Sequence, residues 1–158
     1  MSFSDELAKE SDNVIAAARE IVKVTAITMF TDVIFSTPVG NPDLWQGKAP
    51  AGYTGGQARS NWFLTFTTPS SKVTDNTERG DYDESKIASE ISKQIAQQRG
   101  SVNANRYYLT NNLPYIQELE SGLQSTQAPN GMVAPAKLRT ESLVPRITRA
   151  AEKKYGVS

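Results

Sequence analysis

Near its start the chain carries the stretch that decides the fold, SDELAKESDNVIAAAREIVKVTAITMFTDVIFS, which spans residues 4–36. Its apolar residues recur at roughly helical spacing from Leu7 to Ile34. Asp5 suits the positive end of a helix dipole, and Pro38 disfavours helical geometry in the residue before it. The stretch therefore predicts one long N-terminal helix that ends near residue 36.

Three further segments also have helical patterns. Residues 83–99 carry three isoleucines four residues apart, which form a narrow apolar stripe on one helix face. Residues 115–119 can form a short helix, and residues 134–154 predict a final helix. Pro145 lies inside that last segment, so we expect a kink or a restart there.

Residues 61–67 alternate well enough to predict a strand. Residues 106–110, which include two tyrosines and a leucine, predict a second strand. The order helix, strand, helix, strand, helix predicts an α+β fold with a long N-terminal helix, a short antiparallel sheet and further helices. A length of 158 residues suits one compact domain, residues 1–158, with long loops.

The segment 40–56 is rich in glycine and proline, and this composition predicts a long loop. It faintly resembles a phosphate-binding loop, but Lys48 precedes the last glycines, whereas such a loop needs its lysine after them. We therefore interpret it as a turn-rich loop that is mobile or shaped by a neighbour, and we expect proteolysis of the free protein to cut there first.

Composition excludes several kinds of chemistry. The chain has no cysteine and no histidine, so disulfides, thiolate or imidazole metal sites and serine–histidine catalysis are impossible. A hydrolase would have to use carboxylates, such as Glu118 with Glu120, but residues two apart on a helix point in different directions. Lys plus Arg and Asp plus Glu both total 17, and this zero net charge argues against a protein that coats DNA.

The segment 75–84 carries a group of acidic residues. Its spacing does not match a calcium loop, so a solvated loop is the plain interpretation. If the protein forms a ring around DNA, the same residues are the candidates for a weakly repulsive surface that faces the DNA in the central channel. The group consists of Asp75, Glu78, Asp81, Asp83 and Glu84.

Charge is distributed unevenly between the two ends of the chain. Residues 5–20 contain five acids and two bases, whereas residues 137–154 contain six bases and two acids. This pattern is typical of two solvated helix faces. It also fits electrostatic registration between neighbouring copies, or a small DNA-binding module that uses the basic helix.

In the second half of the chain, the predicted second strand ends in Asn-Asn, and Pro-Tyr, Leu-Glu-x-Gly and Gln-Ala-Pro-x-Gly-Met follow it in that order. This order of motifs resembles that of the minor tail and neck proteins of tailed bacteriophages. Upstream the family shows Thr-Pro-Val and Asn-Trp, which match residues 37–39 and 61–62. The matching positions of the second half are Asn111, Asn112, Pro114, Tyr115, Leu119, Glu120, Gly122, Gln127, Ala128, Pro129, Gly131 and Met132.

The resemblance implies a non-enzymatic virion protein that helps join head to tail, with no cofactor and no metal. Its implied partners are further copies of itself in a six-fold or twelve-fold ring, the head-connector and tail proteins, and genomic DNA that passes through the channel without sequence-specific binding. Residues 127–132 would form an uncharged subunit contact in which Met132 provides an adaptable apolar side chain.

The resemblance also implies location in the virion neck or tail, and in the host cytoplasm before assembly. The beginning of the chain lacks the basic and apolar regions of a leader peptide. Charged residues interrupt the apolar stretch 14–35, so we expect no membrane span. Two alternatives stay open: a DNA-binding accessory module of phage assembly, and a small carboxylate-dependent hydrolase.

Overall fold

The computed structural model describes residues 1–40, 47–48, 51, 54–98, 106–123 and 125–158. Within them the chain is α+β, as the sequence pattern predicts, with one long helix, a two-stranded antiparallel sheet and further helices. The elements are α1 (Phe3–Ser36), α2 (Gln57–Ser60), β1 (Phe63–Thr65), a 3₁₀ turn (Glu78–Asp81), α3 (Glu84–Gln97), β2 (Tyr108–Thr110), α4 (Ile116–Glu120) and α5 (Val133–Tyr155).

Local sequence sets both ends of α1. At its start the Ser2 hydroxyl accepts a hydrogen bond from the Asp5 amide, and the Asp5 carboxylate accepts one from the Ser2 amide. The side-chain hydrogen bond from Ser2 lowers the pKa of Asp5. At its end the Thr37 hydroxyl donates to the Val33 carbonyl, directly before Pro38. The predicted helix is confirmed with nearly the predicted bounds.

Helix α5 runs without interruption through Pro145, so the restart considered from the sequence is wrong. A proline at this position removes one backbone hydrogen bond and crowds the preceding turn. Pro145 is solvent-exposed, whereas Ala136, Thr140 and Ala151 are the buried residues of the helix. Packing on both sides of the proline therefore keeps the two halves in one helix, which ends at Gly156 with φ +66°.

Both strands of the sheet are shorter than the segments 61–67 and 106–110 that the sequence predicts. Leu64 pairs with Leu109 at the centre of the antiparallel ladder, and the two strands contain three residues each. Before β1, the Asn61 side chain instead holds the backbone of Thr74 from both sides, donating to its carbonyl at 2.9 Å and accepting from its amide at 2.8 Å. Trp62 turns inward and donates to the Thr37 hydroxyl at 2.8 Å. These side-chain bonds replace ladder pairing at the start of the strand.

The core lies where the second half of α1 meets α3, α4 and α5. Three isoleucines of α3 form the predicted apolar stripe and are fully or nearly fully buried. Helix α1 packs against both α3 and α5. The largest fully buried side chains are Val33, Ile34, Thr37, Asn61, Ile87, Ile91, Leu119 and Met132.

Arg59, on the short helix α2, is a buried cation that binds the C-terminal end of α1. Its guanidinium donates to the Phe35 carbonyl at 2.8 Å and to the Thr37 carbonyl at 3.2 Å, and it also reaches the carbonyls of Arg79 and Tyr82. Helix α1 has no basic residue in its own last turn. Arg59 supplies the positive charge that the helix dipole favours there. Burial lowers the pKa of this guanidinium, which stays charged at neutral pH.

Arg79 is the second buried arginine, and it corrects the sequence interpretation of segment 75–84 as a solvated loop. The 3₁₀ turn directs its side chain inward, where it donates to the carbonyls of Trp62 at 2.7 Å and Arg59 at 3.3 Å. It also forms a two-pronged ion pair with Glu90 of α3, at 2.8 and 3.0 Å. The turn is thereby joined to both α2 and α3.

Replacing Arg59 with methionine should lower the free energy of unfolding by about 3 kcal/mol, because several carbonyls lose a charged donor that water cannot fully replace. Chemical denaturation monitored by circular dichroism measures this change. The exposed Lys93, replaced in the same way, is the control and should change stability by less than about 0.5 kcal/mol. Equal losses in the two variants would contradict a capping role for Arg59.

Candidate functional site

Most of the residues that carry the phage resemblance lie on the segment 111–133, which we call the signature loop. It begins after β2, includes α4 and ends where α5 begins. Residue 124 lies outside the described residues. The loop folds back on itself, so that its two motif blocks meet at the N-terminal end of α5.

The two asparagines fix the beginning of the loop. The Asn111 side-chain oxygen accepts from the Leu113 amide at 3.2 Å, which forms a local turn. The amide nitrogens reach farther, because that of Asn111 donates to the Ala58 carbonyl at 2.8 Å and that of Asn112 donates to the Ser70 carbonyl at 2.8 Å. The asparagines therefore hold β2 and the loop against α2 and the segment after β1.

Two apolar positions of the motif anchor the loop in the core. Tyr115 is buried, and its hydroxyl lies 3.2 Å from the Gln57 side-chain oxygen. Leu119 has no exposed surface. Pro114 stays exposed at the preceding turn. These positions stabilise the fold, and the resemblance alone did not distinguish that role from subunit contact.

Glu120 caps helix α5 from outside the helix. Its two carboxylate oxygens accept hydrogen bonds from the backbone amides of Met132, Val133 and Ala134, at 2.8 to 3.3 Å. Helix α5 has no acidic residue in its first turn, and Met132, at the cap position, makes no side-chain capping bond. The carboxylate thus supplies the negative charge that the helix N-terminus favours. Glu118, its proposed partner in a hydrolase, is exposed on another face of α4.

Two glycines let the motif blocks approach each other. Gly122 and Gly131 have φ +75° and +79°, a left-handed conformation that glycine adopts without steric cost. A Cβ at Gly122 would lie 2.4 Å from the Pro129 carbonyl oxygen, and one at Gly131 would lie 2.4 Å from the Glu120 carbonyl oxygen. Any larger residue would separate Glu120 from the helix that it caps.

Met132 corrects the predicted contact surface. The sequence interpretation made it an exposed apolar contact, but it is 0% exposed and belongs to the core cluster. The Met132→Asp substitution would therefore disrupt the fold itself, because it would bury a charge in the monomer. Of the predicted contact loop, Gln127, Pro129 and Asn130 are the exposed members.

An open cleft of about 410 Å³ lies beside these exposed residues. Its walls include Phe35 at the end of α1, Pro38 just after that helix, the loop residues 127–131, and two arginines. Both arginines are engaged, since Arg59 binds backbone carbonyls and Arg139 binds the Asp32 carboxylate. Because both arginines are engaged, the cleft offers a mostly uncharged edge, and its role as a contact surface stays a prediction.

The acidic residues of segment 75–84 are all exposed, and the structure gives one of them a local task. The Asp83 carboxylate accepts from the Lys86 amide at 2.7 Å and caps α3. Among the described residues, no group of three or more acidic side chains is placed to hold a metal ion. The predicted channel-facing set remains Asp75, Glu78, Asp81, Asp83 and Glu84.

Ion pairs connect the acidic and basic helices within one chain. Arg139 of α5 binds Asp32 of α1 at 2.7 and 2.8 Å, and Lys154 binds Glu20 at 3.0 Å. Lys23 also contacts Glu20, at 2.9 Å. Part of the charge asymmetry is therefore used inside the monomer, whereas the sequence analysis considered solvated helix faces, contacts between copies and DNA binding.

These pairs change the acidity of both carboxyl groups. Burial acts to raise the pKa of Asp32, but hydrogen bonds from Arg139 and Ser36, with the charge of Arg139, outweigh it and lower the pKa. Burial likewise acts to raise the pKa of Glu20, and its two lysine partners lower it overall. Both groups thus favour their charged form in the folded state.

The first turns of α1 carry apolar side chains that the body of the protein leaves uncovered. Phe3 is 79% exposed, Leu7 56% and Val14 48%. Helix α5 ends beside Glu20, and every residue from 1 to 12 is exposed. The sequence interpretation assigned Leu7 and Val14 to the helical pattern without identifying a surface. The sequence signal that could have identified this surface is the set of acidic residues interspersed among the apolar ones.

The comparisons with known proteins give no relative for this chain. No protein-family model matches it, and no curated protein or solved structure is significantly similar to it. Within the described residues, every helix is too short or too polar to cross a lipid bilayer. The resemblance to phage neck proteins therefore stays a prediction, and the Gly40-to-Gly56 loop lies mostly outside the described residues.

Glu120→Ala should lower the free energy of unfolding by about 1 to 2 kcal/mol, because three backbone amides at the start of α5 lose their acceptor. Glu118→Ala is the matched control two residues away, and its exposed side chain should contribute less than about 0.5 kcal/mol. Urea denaturation of both variants provides the comparison. A cap at Glu120 is ruled out if the control loses as much stability as Glu120→Ala.

Acid should weaken the pairing of α1 with α5. The pKa values of Asp32 and Glu20 are lowered in the folded state. Their contribution to the free energy of unfolding is therefore complete above about pH 5 and disappears as the pH falls below about 4. The Asp32→Asn, Glu20→Gln double variant should be less stable than the wild type at pH 7, and it should lose less stability than the wild type between pH 5 and pH 3. The exposed pair Asp75→Asn, Glu118→Gln serves as control, and urea midpoints across pH give the readout. Parallel pH curves for wild type and the first variant would refute the assignment.

Proposed function

We propose that this chain is a non-enzymatic structural protein of a tailed-phage virion, which helps to join head to tail as part of a ring around the DNA channel. The proposal rests on two independent supports. One is the resemblance of the signature loop to phage neck and minor tail proteins. The other, which carries it physically, is the uncovered apolar start of α1.

The start of α1 has the properties of an interaction element. The end of α5 lies beside Glu20, so the part of α1 from Phe3 to about residue 16 extends past α5. This part is roughly 20 Å long at 1.5 Å per residue. Large apolar side chains exposed along one helix edge are typical of a protein–protein interface. Ordinary surface helices place such residues against their own core. A helix of this kind supports assembly with other protein copies.

The signature loop supports the proposal through the contacts that hold it against α5. Glu120 and the two close glycine contacts hold the loop against α5, so Gln127, Pro129 and Asn130 are presented in a fixed shape. A fixed surface loses little conformational entropy when a partner binds. Neighbouring copies, the head connector and tail proteins are the partners that we propose for it. The exposed acids of segment 75–84 are our candidates for the surface that faces passing DNA, because like charges repel its backbone.

A DNA-binding accessory module is the second candidate function. The observation that favours it is a set of three exposed cations on α5, Arg146, Arg149 and Lys153. Within the described residues they form no ion pair. Such cations bind phosphate groups and make the affinity depend steeply on salt.

Mass photometry and electron microscopy of the purified protein test the proposed function. We expect closed rings of six-fold or twelve-fold symmetry, and antibody labelling of virions should locate the protein at the neck. DNA binding measured by fluorescence anisotropy between about 50 and 200 mM salt should be weak throughout. A monomeric protein that is absent from virions would overturn the proposal, and tight, steeply salt-dependent binding would favour the accessory module.

A further inference from the structure

We propose that the ring is closed head to tail, with the start of α1 of one copy lying on the outer face of α5 of the next copy. This inference rests on the proposed function and adds the two surfaces that meet. We call the first the projecting segment, residues 3–14, and the second the outer face of α5, residues 138–153. Their contact would make a heterologous interface, which generates a ring when the rotation between copies closes.

The projecting segment combines an apolar edge with negative charge. At 100° per residue, Phe3, Leu7 and Val14 lie within about 40° of one another around the helix, and Glu6 and Glu10 border that edge. The segment contains four acids and one lysine. Its apolar side chains are half to four-fifths exposed. A partner for this edge must offer apolar surface together with cations.

The outer face of α5 offers both. It lies opposite the side that packs on α1, and it exposes Leu138 at 68% together with Pro145. Arg146, Arg149 and Lys153 are also exposed there and form no ion pair in the described part of the chain. Leu138 and Arg149 are eleven residues apart, as are Phe3 and Val14, so each surface spans about 16 Å.

Charge selects this pairing over a symmetric contact between two projecting segments. Two such segments would bring four acids from each copy together, and this repulsion opposes association. Against the outer face of α5, the same acids meet cations. The exposed Leu138 distinguishes this partner from DNA, because phosphate binding by arginines leaves an apolar side chain uncovered, whereas the apolar edge of the projecting segment covers it.

Charge reversal on each surface tests the contact. The variants are Glu6→Lys with Glu10→Lys, and Arg146→Glu with Arg149→Glu. Each alone should weaken self-association by about tenfold or more, because every contact then joins like charges. Mass photometry across protein concentration gives the apparent Kd, and circular dichroism verifies that each variant stays folded. Glu118→Lys and Lys93→Glu reverse exposed charges elsewhere and should leave association unchanged.

A mixture of the two reversed variants gives the sharpest result. In the mixture, the basic segment of one variant meets the acidic α5 of the other, and the two wild-type surfaces also meet, so alternating rings should form again. A symmetric contact between projecting segments would instead leave the α5 variant fully assembled and give only dimers in the mixture.

The outcomes separate this inference from the function on which it rests. Wild-type rings that neither variant disturbs would overturn the inference and leave the neck function standing. Sensitivity to the α1 variant alone would place the projecting segment on another surface and also overturn it. An α5 variant that assembles normally but loses DNA binding would assign that face to DNA. Wild-type protein that stays monomeric would count against both proposals.

Discussion

Capping of two helix ends by distant charged residues is the constraint on which the rest of the structure depends. Helix α1 lacks a basic residue in its last turn, and α5 lacks an acidic residue in its first turn. Arg59 supplies the missing cation at one end and Glu120 the missing carboxylate at the other. The unpaired carbonyls and amides of these helix ends would otherwise be poorly satisfied in a partly buried region.

This arrangement determines what the molecule presents to a partner. Both capped ends lie at the same end of the antiparallel pair formed by α1 and α5, near the Asp32–Arg139 ion pair and the cleft lined by the signature loop. At the other side, α5 ends beside Glu20 while α1 continues. The monomer thus has one end at which the signature loop is held by the Glu120 cap, and a projecting end with uncovered apolar residues. Such polarity suits a chain that assembles head to tail, as we propose.

Most of the motif residues serve the fold before any contact. Leu119 and Met132 fill the core, Glu120 caps a helix, and Gly131 leaves room for that cap. A motif read from sequence does not separate these tasks from binding, because a residue buried in the monomer and one buried in an interface have the same apolar character. The candidate contact residues are therefore those that the folded loop leaves exposed, chiefly Gln127 and Asn130.

The sequence by itself determined the long helix α1, the apolar stripe of α3, the two strand positions and the absence of cysteine and histidine chemistry. These follow from periodicity, local capping and composition, which act over a few residues. Only the tertiary structure decided that Met132 is core, that α5 continues through Pro145, and that Arg59 and Glu120 cap helices far along the chain. The physical reason is that burial and electrostatic pairing depend on distances between segments, and no local pattern encodes those distances.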